Sequence, residues 1–367
     1  MAESEIPGRE MNAEEILDGK IVREKEPLNL EMPFEKIDGF ITPNDLFYVR
    51  CHFPVPKIDI QKWRLRIEGA IEKHVDLSLD DLRKMKSRTI TTTLECAGNC
   101  RNFLEPKVKG VPWGLGAVGN GTWTGVPLSE VLNLAKPKRN TNEVILEGAD
   151  NGTVAEAKRP DGKINFARSI PLAKALDDVI LAYEMNGAEL SPDHGFPLRA
   201  IVPGWYAVAS IKWLQRIIVT DKPFAGFYQT IDYSYWASRD GLNELTPISE
   251  LQIKAEIARP HPGEIVPANA NVRIHGAAWT GDADITKVEV STDGAKNWTD
   301  ARLTGERTRN AWQLWEYDWR TTKNPGKQIL VARATDSLGR MQPAQRDPNR
   351  GTYMINHLLP IEVEVRN

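Results

Sequence analysis

At 367 residues, with 41% hydrophobic and 26% charged residues, the chain has the profile of a globular protein long enough for two domains. A net charge of −3 supplies no global basic field, which argues against a nucleic-acid partner. Three cysteines are too few for a disulfide framework, and the polar N-terminus, with Glu3, Glu5, Arg9 and Glu10, shows neither the basic nor the apolar part of a secretory signal. Both features favour a reducing, cytoplasmic compartment, or a periplasmic one if an export segment has been removed. The longest uncharged apolar stretch, between Arg199 and Lys212, is interrupted by Pro203 and Gly204 and is too short to span a bilayer, so no membrane partner is expected.

The first thirty-five residues, dense in Glu and Lys, read as an arm with one short helix. From Ile41 to about Thr220 helical and strand patterns alternate. Trp63-Arg64-Leu65-Arg66-Ile67-Glu68-Gly69 has the period of a strand ending in a glycine turn. Ser78, followed by Asp80 and Asp81, opens a helix with a capping residue and an acidic first turn. A second helix is expected from Pro127 to Ala135, ended by Pro137, and a third from Pro171, with Ser169 as its cap. Val179 to Tyr183 and Ile211 to Val219 read as strands. The mixed order predicts an α+β domain over residues 36–248 rather than a doubly wound sheet.

After about Glu250 the helical signals stop. Short alternating segments at Ile253 to Ile257, Val272 to Gly276, Val288 to Ser291 and Ile329 to Ala334 are separated by turn clusters such as Asp293-Gly294 and Asn324-Pro325-Gly326. Residues 249–367 are therefore expected to form an immunoglobulin-like β-sandwich, a module used more for binding or assembly than for chemistry.

The chemistry gathers at a cysteine. Thr91-Thr92-Thr93-Leu94-Glu95-Cys96-Ala97-Gly98-Asn99-Cys100-Arg101 is a strand-like run that ends in a thiol followed by turn-forming residues. That arrangement suits a thiolate presented at an exposed strand end to a metal or substrate, although buried cysteines also serve as small hydrophobes. Several cation-bearing segments accompany it. Arg50 and His52 follow the aromatic run Phe47-Tyr48, with period two sending both to one face. His194 and Arg199 lie in Asp193-His194-Gly195-Phe196-Pro197-Leu198-Arg199, and Lys212 in Ser210-Ile211-Lys212-Trp213, read as strand. Lys107 to Trp113 is basic, then turn-forming, then aromatic. Such a set fits an anionic, phosphate-bearing cofactor with a soft metal needing one thiolate. Cys96 and Cys100 lack the spacing and second pair of a structural zinc site. A cysteine-nucleophile hydrolase, with His52 or His194 as base, is the other chemical alternative.

Taken together, the segments around Cys96, Phe47 to Pro56, Leu181 to Gly187, Asp193 to Arg199 and Ser210 to Leu214 resemble those of the sulfite oxidase family, in its order. The resemblance implies that Cys96 is the protein ligand of molybdenum held by a single pyranopterin (molybdopterin). It implies that Tyr48, Arg50, His52, Asp150, His194, Arg199, Ser210, Ile211 and Lys212 line the pterin and its phosphate. Arg50, Arg101, Trp113 and Tyr233, with Arg350 from the second domain, would form the substrate pocket. Such an arginine-rich pocket suits a dianion better than a monoanion, which favours sulfite over nitrate. The implied reaction is oxo transfer converting sulfite to sulfate, with electrons passing to oxygen or to a separate acceptor. Nitrate reduction on the same scaffold and a non-catalytic assembly role are the competing readings. Residues 249–367 would join two protomers in a homodimer. Trp298, Trp312, Trp315 and Trp319 there suit an interface and a core equally well. Cys100 departs from the arginine usual at that position, either as a neighbouring change in local charge or as a redox partner for Cys96.

Overall fold

The computed structural model describes residues 15–154 and 160–367. Strands dominate it. The four α-helices among the described residues are Leu79–Lys84, Leu128–Ala135, Leu172–Asp177 and Phe227–Thr230, none longer than eight residues. The first domain is thus more strand-rich than the expected α+β balance.

The site rests on the strand Arg88–Glu95, whose β-branched threonines fit a pleated surface. It pairs antiparallel along its length with Val118–Pro127, placing Glu95 opposite Val118. Ile180–Met185 extends this sheet, with Ala188–Glu189 and Arg199–Ile201 paired to it. A second sheet runs in the order Lys163–Pro171, Glu143–Thr153, Leu214–Thr220, Leu65–Gly69, Val75–Leu77. The short helices pack by their apolar faces. In Leu128–Ala135 the residues Leu128, Val131, Leu132 and Ala135 are buried at helical spacing. Pro137 blocks further turns, and Lys136 closes the helix with φ +54°. Ser78 and Asp81 form the expected reciprocal cap on Leu79–Lys84.

Three local expectations are corrected. Ser169 caps nothing, because it belongs to the strand Lys163–Pro171 and the following helix has no side-chain cap. The strand expected from Ile211 begins only at Leu214, since Trp213 takes φ +50°, which a strand cannot accommodate. The stretch expected to be an arm is, from residue 15 on, part of the fold. Ile16–Leu17, Lys20–Glu24 and Asn29–Glu31 form a sheet with Val49–Arg50, and Met32 and Phe34 enter the main core. Residues 1–14 lie outside the described residues.

The C-terminal part has two sheets around one core. Lys254–Arg259, Asn271–Trp279, Gln313–Arg320 and Arg302–Thr304 make the first; Ile265–Pro267, Ile361–Arg366, Gly326–Asp336, Ile285–Ser291 and Thr299–Asp300 make the second. Trp315 and Trp319 belong to that core, and Trp312 to the main core, where its Nε1 donates to the Phe40 carbonyl at 2.9 Å. Trp298 is half-buried under the Arg333 guanidinium, so three of the four tryptophans pack inside.

Candidate active site

Cys96 follows the last residue of Arg88–Glu95. Its N–H donates to the Ala117 carbonyl at 2.9 Å, and its own carbonyl accepts from Asn99 N–H at 2.9 Å, so the chain reverses at once. Gly98 leaves room in this turn for Arg101: a Cβ there would lie 2.3 Å from the guanidinium, which would have to shift. The thiol is buried rather than exposed, but it lines a cavity.

Tyr48, Arg50, His52, Asp150, His194, Arg199, Ser210, Lys212 and Tyr233 all line that cavity with Cys96. They converge from five stretches of the chain: 48–52, Asp150 within the strand Glu143–Thr153, 194–199, 210–212 and Tyr233. Arg50 closes a two-residue strand and His52 lies beyond it, yet both reach the cavity. The His194 turn and the 210–213 loop meet where Arg199 donates to the His194 carbonyl at 3.0 Å and Lys212 to the Asp193 carbonyl at 2.7 Å. Trp213, also lining, anchors this loop through Nε1 to the Pro192 carbonyl at 2.7 Å.

Charge in the cavity is lopsided. Among the described residues no carboxylate pairs with Arg50, Arg199 or Lys212 within ion-pair distance, and Asp150 is the lone acidic residue lining the cavity. Arg199 Nε is buried without any partner. Burial, and then the Arg50 charge, hold His52 well below its ordinary value, and burial pushes His194 down to about 4. Both imidazoles are therefore neutral at physiological pH. Burial raises Asp150 to about 7, against the pull of Lys212. Burial also raises the Cys96 thiol, opposed by Arg50 and Arg101. His52 Nε2 lies 2.6 Å from the Tyr233 hydroxyl. Among the described residues no group of three His, Cys, Asp or Glu is arranged to hold a metal. A thiol, surplus cations and an unpartnered guanidinium nitrogen therefore fit an anionic group that brings most of its metal's ligands with it.

Four expected residues stand back from the cavity wall. Arg101 lies behind the turn, donating from Nε to the Thr352 carbonyl at 3.1 Å and from Nη1 to Val111 at 2.9 Å, though its charge still acts on Cys96. Trp113 is fully buried behind Tyr48, ring centroids 6.4 Å apart. Ile211 supports the loop by accepting from Ala200 N–H at 2.8 Å. Arg350 is not brought to the site: its guanidinium binds Asn356 at 2.8 Å, Gln252 at 3.1 Å and Asp347 at 3.4 Å. Two side-chain amide oxygens and one carboxylate hold it there, away from the cavity, although its Nε makes no hydrogen bond.

Other residues escaped the sequence. Arg168 is fully buried, and its two terminal nitrogens donate at 2.5 Å to the Tyr228 and Ile248 carbonyls, flanking the Tyr233 segment. Glu95 accepts from Lys254 Nζ and from Trp279 Nε1, both at 2.9 Å. Lys254 also lies 3.3 Å from the Cys100 sulfur, which is thereby engaged away from Cys96; both thiols are free. Lys254 and Glu256 alternate within an apolar strand, and that pattern was the available signal.

Residues 52–228 match the oxidoreductase molybdopterin binding domain, and residues 246–365 match the Mo-co oxidoreductase dimerisation domain. Fold and cavity thus define a molybdopterin-dependent oxidoreductase. The sulfite oxidase of Gallus gallus is 35% identical over 347 residues, covering 89% of this chain and 73% of that protein. The mitochondrial sulfite oxidase of Mus musculus is 36% identical over 341 residues, covering 88% of this chain; the chain spans 61% of that protein's length. The crystal structure of the sulfane dehydrogenase SoxCD from Paracoccus pantotrophus superposes with a TM-score of 0.78 at 30% identity, covering 92% of this chain and 85% of that one. The chain belongs to the sulfite oxidase family.

Proposed function

We propose that the chain oxidises sulfite to sulfate using a molybdenum–molybdopterin group held in the Cys96 cavity. The observation that carries this reading is the lone thiol of a cavity lined by three cations, Arg199 buried and Arg50 and Lys212 half-buried, that have no carboxylate partners among the described residues. Cys96 would give its thiolate to the metal. Arg199 and Lys212, with neutral His194 and Ser210 as hydrogen-bonding groups, would hold the phosphate-bearing pterin. The bound group supplies two-electron redox chemistry and oxo transfer. Arg50 and Tyr233, backed by the Arg101 charge, would orient a small dianion. Neutral His52 holds the Tyr233 hydroxyl, so that hydroxyl is aimed before substrate arrives.

A dianion compensates this much unpaired positive charge better than nitrate does, which favours sulfite. Electrons would leave to oxygen or a separate carrier. We place the domain boundary near residue 248. The two-sheet C-terminal unit is read as an immunoglobulin-type sandwich that joins a homodimer, in keeping with the dimerisation domain matched over 246–365. Three free cysteines support a reducing compartment, and no described helix is long and apolar enough to cross a membrane. Steady-state assays with sulfite and an oxidised dye, set against nitrate and a reduced dye, test the reaction. Sulfite-dependent dye reduction is expected; nitrate turnover without it would favour the reductase reading.

A further inference from the structure

Tyr353 is absent from the expected site, yet it touches two of its candidate members. The second domain sends residues 350–354 against the first as a turn, closed by Tyr353 N–H to the Arg350 carbonyl at 3.1 Å. Met354 N–H then donates to the carbonyl of Ala97, the residue after Cys96, at 2.8 Å, and Thr352 gives its carbonyl to Arg101. Between these tethers the Tyr353 ring stacks on Tyr233 with centroids 4.7 Å apart and planes 27° from parallel. The Arg101 guanidinium carbon lies 5.1 Å from the same ring's centroid. The Tyr353 hydroxyl donates to Asp232, whose Oδ1 also accepts from Tyr233 N–H at 3.0 Å.

Tyr233 needs such support. Its φ of +54° lies in the left-handed region, unusual for a bulky residue and held only where surroundings over-determine it. Arg101 needs it too, because its guanidinium has no carboxylate partner among the described residues and is fixed by two carbonyls and an aromatic face.

We propose that Tyr353 is a positioning residue for the oxyanion pocket: one ring from the second domain holds Arg101 and Tyr233 in register, and so completes a site for a small dianion. This rests on the sulfite reading above. In consequence the second domain does more than join protomers. Its role on the substrate side falls to Tyr353, three residues beyond the arginine that the sequence suggested.

The test uses holoenzyme at matched molybdenum content, comparing Tyr353→Phe, Tyr353→Leu and Tyr353→Met. Sulfite kcat and KM are measured beside calorimetric affinity for sulfate, a dianion that is not turned over; thermal melts confirm folding. Leucine and methionine fill the volume without an aromatic face, and using both prevents one misfolded variant from deciding the result. Each should raise the sulfite KM and weaken sulfate binding roughly tenfold, with kcat changed less than about threefold. Phenylalanine, which keeps the ring, should bind sulfate within about threefold of the parent. Parent-like sulfate affinity in the leucine and methionine variants would overturn the proposal, as would a phenylalanine variant as weak as those two. Absence of sulfite turnover in the parent would instead overturn the sulfite reading, while the order of sulfate affinities would still report on the ring.

Discussion

The cavity in front of Cys96 and the ion cluster behind Glu95 are one residue apart in sequence, but they handle charge in opposite ways. Behind Glu95, Lys254 Nζ lies 2.9 Å from Glu95 and 3.7 Å from Glu256, while Trp279 and Asn99 complete the Glu95 carboxylate at 2.9 and 3.1 Å. Every charge there has a partner of opposite sign within the protein. In front of Cys96, Arg50, Arg199 and Lys212 meet carbonyls, the Tyr233 hydroxyl, a thiol and tryptophan faces but no carboxylate, and Arg199 Nε is orphaned. A paired buried cluster is a structural joint; a surplus of one sign is half of a binding reaction whose other half is a ligand.

Substitutions should separate the two regions. The largest contrast is between the two thiols. Cys96→Ser should bring sulfite turnover to background, whereas Cys100→Ser should keep most of it, because the Cys100 sulfur faces Lys254 and Glu256. Equal loss in steady-state assays would erase the distinction. Next comes Lys254→Met, which strands the Glu95 carboxylate and should lower unfolding free energy by about 3–5 kcal/mol in denaturant melts.

A pH effect belongs to the cavity. In cofactor-free protein His194 is held at about 4, from an ordinary 6.5, chiefly by burial. The native state then binds fewer protons than the unfolded chain between those values. Stability is therefore full above the ordinary value and declines as pH falls toward 4, by up to about 3 kcal/mol. His194→Gln should flatten that slope in urea melts across the interval. The smallest expected stability change is for Arg199→Met, within about 1 kcal/mol in cofactor-free protein, because no ion pair is broken. Its molybdenum content after expression should nonetheless fall. Destabilisation as large as that of Lys254→Met would mean that Arg199 is a structural cation.

The cavity side was legible in the sequence and the joint was not. Polar residues in glycine- and proline-bearing loops, such as His194 and Arg199, advertise themselves because loops seldom need those groups for packing. Period two also pointed Arg50 and His52 to one face, although the strand proved only two residues long. Lys254 and Glu256, by contrast, look like the solvent face of an edge strand until the other domain is placed over them. Arg350 and Tyr353 show the same limit. An arginine in a short motif resembled a pocket residue, but Asp347, Gln252 and Asn356 claim its guanidinium, and the tyrosine three residues later makes the contact. Which member of a turn faces a distant site depends on docking across the domain boundary, and local pattern does not carry that information.

The most direct test is elemental analysis of protein expressed with cofactor supply, paired with optical or paramagnetic spectra before and after sulfite, using Cys96→Ser as control. Stoichiometric molybdenum in the parent, a spectrum altered by sulfite, and loss of that response in the serine variant are the expected results. Trace molybdenum in the parent, or a sulfite response unchanged in the serine variant, would contradict a metal centre held at Cys96.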